Sequence, residues 1–149
     1  MILLIDDDQP YNEALTDILN SEDGSYQIQT FTTGLDAINW LREWRKANSL
    51  PDVVIMDMMI PWDENDFGGS GMPDNPPEGF GGVRVLKELL LMGLDPNRVL
   101  VISAVRSDDL RKMLLEKKVP EHQILLKPAR TSEITQKVKL IHSRSRIQN

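Results

Sequence analysis

Apolar runs of strand length recur along the chain, and amphipathic segments separate them. Four of these runs are continuous rather than alternating, which is typical of strands buried on both faces of a parallel sheet. The runs predict five strands, at Met1–Ile5, Tyr26–Phe31, Val53–Asp57, Val99–Ser103 and Ile124–Leu126.

Between and after these runs, apolar residues return every three or four positions, which predicts five helices. Pro10 falls in the first turn of the first helix, and Thr33, Ser107 and Ser132 are expected to cap the second, fourth and fifth. Gly93 is expected to end the third. Five β-then-α units predict an α/β fold, with one doubly wound parallel sheet covered by helices on both faces.

Residues 62–82 interrupt this alternation. The segment holds six of the nine glycines, three of the nine prolines and five acidic residues, but no basic residue. Such a composition forms neither a helix nor a strand, and loops of this length are uncommon in compact domains. The sequence therefore predicts a long acidic insertion after the third strand.

The length and composition of the chain exclude several classes of protein. The 149 residues are about one domain's worth, and no apolar run approaches the roughly 20 residues that span a bilayer. Cysteine is absent, which excludes disulfides and thiolate sites, and the net charge of -6 argues against direct nucleic acid binding. We expect a single cytoplasmic domain, residues 1–149, without membrane insertion.

Polar residues stand where four of the apolar runs end. The residues at these ends are Asp6, Asp7 and Asp8 after the first run, Asp57 at the third, Ser103 at the fourth and Lys127 after the fifth. Because ligands of open parallel sheets bind at the carboxyl ends of the strands, these side chains are expected to share one site.

The residue types at these ends suit phosphoryl transfer. Clustered carboxylates favour a hard divalent cation such as Mg²⁺, and an ionised aspartate can attack phosphorus to give an aspartyl phosphate. The reaction further needs neutralisation of the transferred oxygens, which an ammonium and a hydroxyl can supply. The sequence thus predicts a Mg²⁺-assisted phosphoryl site.

Four segments in this order resemble the receiver domain of bacterial two-component response regulators of the chemotaxis-regulator type. They are ILLIDDD, PDVVIMDMMIP, VLVISA and ILLKPA, and the resemblance extends over nearly the whole chain. It implies a flavodoxin-like (βα)5 sheet in the order 2-1-3-4-5. We expect no output domain in this chain.

The resemblance also implies individual roles at the metal and acceptor positions. Asp57 resembles the phosphoacceptor, and Asp7 resembles the direct Mg²⁺ ligand. Asp6 would act on the metal through water, and Met59 would offer its backbone carbonyl. Asp8 matches no fixed role in the family.

Ser103 and Lys127 resemble the residues that bind the phosphoryl oxygens, and the Lys127–Pro128 peptide is usually cis in this family. The implied function is a signalling switch that accepts a phosphoryl group from a sensor histidine kinase or phosphotransfer protein. The domain would catalyse its own phosphorylation and its slow dephosphorylation. The new charge would draw Ser103 inward and change the surface of the fourth helix, fifth strand and fifth helix, which a downstream effector would read.

The chain departs from the family's usual pattern at several positions. Ile124 stands where an aromatic switch residue is usual, and residues 119–122 replace a small Ala-Gly turn, so the fourth helix is expected to end differently. Met59 and Val105 put apolar side chains beside the route of attacking water, which predicts slow autodephosphorylation. The 62–82 loop has two interpretations, a tolerated flexible insertion or a lid or partner-recognition element. The side chains expected to anchor it are Trp62, Phe67, Met72 and Phe80.

Two other functions remain open from the sequence. A pseudo-receiver would bind partners without being phosphorylated. A phosphatase resembling the haloacid dehalogenases would use Asp6 and Asp8 after the first strand, but it needs an acidic pair after the lysine. Glu133 is the one acid that follows Lys127.

Overall fold

The computed structural model describes residues 1–22, 24, 26–66 and 79–147. The strands are β1 Ile2–Ile5, β2 Ile28–Phe31, β3 Val53–Met56, β4 Val99–Ser103 and β5 Ile124–Leu126. The helices are α1 Gln9–Glu22, α2 Gly34–Trp44, α3 Gly81–Leu91, α4 Asp108–Glu116 and α5 Thr131–Ile147. Short 3₁₀ turns, Pro96–Arg98 and Glu121–Gln123, precede β4 and β5. None of these helices is long and apolar enough to cross a membrane.

The five strands form one parallel sheet in the order β2-β1-β3-β4-β5. This order confirms the expected doubly wound, flavodoxin-like α/β fold. The strand bounds match the apolar runs closely, but β2 begins at Ile28 rather than Tyr26, and β3 ends at Met56. Asp57 is therefore the first residue after its strand.

Two hydrophobic cores cover the two faces of the sheet. Leu3 and Ile5 of β1 face the core under α2, α3 and α4, whereas Ile2 and Leu4 face the core under α1 and α5. Successive residues of a strand point to opposite faces, so a strand covered on both sides must be apolar at every position. β2 is one of the two edge strands and is only partly buried, which explains its mixed sequence IQTF.

Most of the predicted helix ends are confirmed. Thr33 and Ser107 cap α2 and α4, because each side-chain oxygen accepts a hydrogen bond from a backbone N–H three residues later. Gly93 follows α3 with φ +93°. The prediction for Ser132 is wrong, because α5 begins at Thr131 and Ser132 lies inside its first turn. The backbone carbonyl of Arg130 accepts the N–H groups of the first turn instead.

The end of α4 shows what replaces the small turn. Lys118 adopts a left-handed conformation with φ 67°. Its N–H donates to the carbonyl of Leu115, and Val119 N–H donates to that of Leu114, which is the double closure of a Schellman motif. A lysine thus stands where glycine is usual, and buried Val119 anchors the chain before β5.

The described parts of the 62–82 segment are fixed at both ends. The carbonyls of Pro61 and Trp62 accept the N–H groups of Gly34 and Leu35 at the start of α2, at 3.0 and 2.7 Å. Phe80 is buried in the core beneath α3. The helix α3 begins at Gly81, so the last two residues of the segment belong to it. The other expected anchors, Phe67 and Met72, lie outside the described residues.

Candidate functional site

The carboxyl ends of the strands bring the predicted polar residues together. Asp6 and Asp7 follow β1, Asp57 follows β3, Ser103 ends β4, and Lys127 follows β5. Because β1 and β3 are neighbours and β4 and β5 continue the same sheet, all five meet at one edge. We call these five residues the carboxyl-end cluster.

Asp57 lies at the centre of this cluster and is only 6% exposed. Its Oδ1 accepts hydrogen bonds from Ser103 Oγ at 2.8 Å and from the backbone N–H of Met59 at 3.0 Å. Its Oδ2 accepts one from Lys127 Nζ at 2.9 Å. Both carboxylate oxygens are thus held by hydrogen-bond donors.

Lys127 connects the two buried aspartates. Its Nζ donates to Asp6 Oδ2 at 2.6 Å as well as to Asp57. Burial alone would lower the pKa of Lys127, but its hydrogen bonds with Asp6 and Asp57 and their negative charges raise that pKa above its ordinary value, so the ammonium stays charged. Lys127 N–H donates to the carbonyl of Ser103, and the Lys127–Pro128 peptide is cis, as expected.

Asp7 faces solvent beside the two buried carboxylates. Burial and the negative charges of Asp6 and Asp57 raise the pKa of Asp7 above its ordinary value. A backbone hydrogen bond and the positive charge of Lys127 lower the pKa but do not outweigh these causes. Carboxylate oxygens of Asp6, Asp7 and Asp57 lie within 4.8 Å of one another. Three mutually repelling oxygen ligands with one side open suit a hard divalent cation, and Mg²⁺ in particular, which usually keeps several waters. The residues present therefore fit the expected metal.

Asp8 turns away from this arrangement. Its Oδ1 accepts the backbone N–H of Tyr11 at 3.0 Å, so it caps the start of α1. A haloacid-dehalogenase-like reaction would need Asp6 and Asp8 at the same site, and the observed geometry gives Asp8 a capping role instead.

The start of α3 packs tightly against the chain after β3. A side chain at Gly82 would come within 2.3 Å of the carbonyl oxygen of Asp57, and one at Gly81 within 2.1 Å of that of Ile60. Gly82 N–H also donates to the carbonyl of Met58 at 3.1 Å. Only glycine allows this approach, which fixes the backbone that presents Asp57.

Two residues of α1 join the site without having been predicted from the sequence. Asn12 Nδ2 donates to the carbonyl of Asp6 at 2.7 Å, and Lys127 Nζ lies 4.8 Å from the centre of the Tyr11 ring. Both residues follow the acidic run by about one helical turn. The one sequence feature that could have placed Tyr11 and Asn12 at the site is their spacing from Asp7. That spacing by itself indicated only the start of a helix.

Comparison with known proteins identifies the fold and a partial family match. Residues 2–65 match the family model of the response regulator receiver domain. A signal receiver domain from Vibrio parahaemolyticus shares 22% identity, with a TM-score of 0.72 over 99% of this chain and 92% of that chain. A CheY-like receiver domain protein from Methanospirillum hungatei shares 17%, with a TM-score of 0.70 over 99% and 97%. The BeF3-activated receiver domain of Klebsiella pneumoniae RstA shares 16%, with a TM-score of 0.68 over 95% and 97%. No match was found among curated protein sequences.

Residues 2–65 thus match the receiver-domain family model, and the described chain has the fold of the solved receiver domains. The matched residues include Asp6, Asp7, Asp57 and Met59 of the site. Ser103 and Lys127 lie beyond them, and the fold brings these two residues to Asp57.

A cavity lies next to Ser103, and Ile124 forms part of its wall. The cavity, of about 600 Å³, lies between α4, β5 and the start of α5. Its wall includes Ser103, Val105, Leu110, Ile124, Leu126 and Arg130. Ile124 is half-buried and packs against the core under α4. The cavity therefore extends from Ser103 of the carboxyl-end cluster to the surface formed by α4, β5 and α5.

Proposed function

We propose that this receiver is a phosphorylation-dependent signalling switch in which Asp57 accepts a phosphoryl group. The observation that carries the proposal is the environment of Asp57, whose two oxygens are held by Ser103, the Met59 N–H and Lys127. The same donors can stabilise negative charge on a phosphoryl group attached to that carboxylate.

A divalent cation, Mg²⁺, would bind at Asp7 and Asp57, with Asp6 acting through water and Met59 offering its backbone carbonyl. The closeness of the three carboxylates and the raised pKa of Asp7 support this assignment. When bound, the metal would supply positive charge to the phosphoryl oxygens.

In the transfer step, one oxygen of ionised Asp57 attacks the phosphorus of a phosphohistidine. A new P–O bond forms, the P–N bond breaks, and its electron pair returns to the imidazole of the donor. Lys127 and Ser103 release their hydrogen bonds to the carboxylate and donate to the phosphoryl oxygens. In dephosphorylation, water attacks phosphorus, the bond between phosphorus and the Asp57 oxygen breaks, and the products are inorganic phosphate and the free Asp57 carboxylate.

The conformational response would start at Ser103. Its hydroxyl already lies 2.8 Å from Asp57, so it can exchange a carboxylate oxygen for a phosphoryl oxygen with little movement. The adjacent cavity and the aliphatic Ile124 would then let α4, β5 and α5 repack. A downstream effector would recognise the changed surface.

The donor would be a sensor histidine kinase or a phosphotransfer protein, as the receiver family implies. Slow loss of the phosphoryl group is expected, because apolar Met59 and Val105 are partly buried beside Asp57 and Ser103 and offer no polar group to an attacking water.

The first experiment is intact-mass measurement after incubation with acetyl phosphate, with and without Mg²⁺. Wild-type protein should gain one phosphoryl group only with Mg²⁺, and Asp57→Asn should gain none. Asp8→Asn is the matched control, since it removes a neighbouring charge while asparagine keeps the helix cap. It should be phosphorylated like the wild type.

The same measurement repeated over time, after removal of the donor, gives the lifetime of the phosphoryl group. A lifetime of seconds would contradict the expected slow hydrolysis. Absence of any mass gain in the wild type would instead favour a pseudo-receiver that binds partners without phosphorylation.

A further inference from the structure

Tyr11 places an aromatic ring against the ammonium group of the site. Lys127 Nζ lies 4.8 Å from the centre of the ring, within the distance at which a cation is attracted to an aromatic face. The ammonium has three hydrogens, and Asp6 and Asp57 accept two of them. The Tyr11 ring is its third described neighbour.

The ring is itself held firmly. Tyr11 lies in the first turn of α1, where its N–H donates to the cap residue Asp8 at 3.0 Å. The half-buried side chain packs against the core shared by α1 and α5. Lys127, by contrast, has a long flexible stem that loses much rotamer entropy when it is fixed.

Phosphoryl transfer depends on positioning this ammonium. Lys127 must leave the carboxylates and meet the phosphoryl oxygens without moving into solvent. A fixed ring beside it restricts the lysine before and during that exchange, which lowers the cost of reaching the productive geometry.

We propose that Tyr11 is a positioning residue that holds Lys127 for phosphoryl transfer to Asp57. This inference rests on the proposed function of Asp57. It assigns the role to the face of the ring, since the ammonium lies over the ring centre.

The phenol of Tyr11 stays neutral at physiological pH. Burial raises the pKa of Tyr11, and the nearby carboxylates of Asp6 and Asp57 raise it further. The positive charge of Lys127 lowers the pKa but does not outweigh them. The ring therefore brings no additional negative charge to a site that already holds three carboxylates.

The kinetic test compares Tyr11→Leu with Tyr11→Phe in phosphorylation by acetyl phosphate. Leucine keeps the apolar bulk but removes the aromatic face, and the maximal rate should fall roughly 2- to 30-fold, the range that corresponds to typical cation–π energies. The donor concentration at half-maximal rate should change less. Phenylalanine keeps the face and should restore most of the rate.

A double-mutant cycle with Lys127→Met shows whether Tyr11 acts through the lysine. In the Lys127→Met background, Tyr11→Leu should cause no further loss. The proposal is overturned if Tyr11→Leu leaves the rate unchanged, if Tyr11→Phe is as slow as Tyr11→Leu, or if the two losses are additive.

A measurement without phosphorylation separates this proposal from the function of Asp57. By NMR, the side-chain protons of Lys127 next to Nζ should be shifted upfield by the ring in the wild type and in Tyr11→Phe. They should return towards ordinary lysine values in Tyr11→Leu. If wild-type protein is never phosphorylated but these shifts hold, the proposed function fails while the contact stands; if the shifts are equal in all three proteins, the positioning role is overturned.

Discussion

The two ends of the sheet carry carboxylates in opposite electrostatic situations. At the carboxyl end, Asp6, Asp7 and Asp57 lie around the ammonium of Lys127. At the amino end, Asp52 stands directly before β3 and forms an ion pair with the Met1 amino group. Asp52 also accepts a hydrogen bond from Ser145 Oγ at 3.2 Å, and His142 Nε2 lies 3.8 Å away. We call Met1, Asp52, His142 and Ser145 the amino-end cluster.

The pKa directions separate the two clusters. Burial and like charges raise the pKa of Asp7 at the carboxyl end. Burial would also raise the pKa of Asp52, but the Met1 amino group, Ser145 and His142 outweigh it and lower that pKa. One cluster therefore holds an excess of negative charge that a ligand can relieve, and the other is satisfied by the fold itself.

This contrast gives the two clusters opposite effects on the free energy of folding. Placing three carboxylates together costs folding free energy, which the binding of a cation there would recover. Asp52 instead ties β1, β3 and α5 together from the opposite end.

The largest expected effect comes from removing the cation of the carboxyl-end cluster. Lys127→Met leaves Asp6 and Asp57 without their ammonium, and the free energy of unfolding should fall by about 2–3 kcal/mol, because carboxylates buried without a cation are costly. Added Mg²⁺ should restore part of the loss. Urea unfolding with and without Mg²⁺ measures both values.

Lys112→Met, at an exposed position of α4, is the control and should change stability little. A Lys127→Met protein as stable as the wild type without Mg²⁺ would show that the three carboxylates do not strain the fold.

A smaller loss of stability is expected when the amino-end cluster is disrupted. Asp52→Asn should lower the free energy of unfolding by about 1–2 kcal/mol at pH 7, since it removes a charged partner of the Met1 amino group and His142. The pKa of Asp52 is depressed in the folded state, so its contribution is present above the unfolded value of 3.8. It is lost as the pH falls through the lower folded value.

Unfolding by urea between pH 7 and pH 2 tests this sign. The difference between wild type and Asp52→Asn should shrink below pH 3.8. A difference that stays constant into acid would mean that the substitution acts through packing rather than charge.

The smallest expected change in stability comes from substituting Asp7, and it should be a gain rather than a loss. Asp7→Asn removes one repelling charge, so the metal-free protein should gain less than about 1 kcal/mol, because water screens this exposed group. The pKa of Asp7 is raised by folding, so the wild-type protein should approach the variant's stability as the pH falls through that raised value.

Thermal unfolding with increasing Mg²⁺ completes this comparison. Mg²⁺ should raise the melting temperature of the wild type and have little effect on Asp7→Asn. If Mg²⁺ stabilised both proteins equally, Asp7 would not be a ligand of the metal.

Much of the carboxyl-end cluster could be predicted from the sequence. Asp57, Ser103 and Lys127 each stand at the end of an apolar run, and parallel strands bring such ends to one edge. Ser132 was predicted wrongly as a cap, because sequence places a helix start only within a residue or two. The strand order came from resemblance, since apolar runs indicate burial and not neighbours.

The sequence by itself determined the alternation of strands and helices, the parallel sheet and the edge at which the side chains of the carboxyl-end cluster meet. Only the tertiary structure decided that the Asp7 carboxylate lies close to that of Asp57, that Tyr11 lies over Lys127, and that α5 reaches Asp52. The reason is that local periodicity sets which face of an element is buried. Contacts between residues about a hundred positions apart depend on how the helices are packed, which no local pattern specifies.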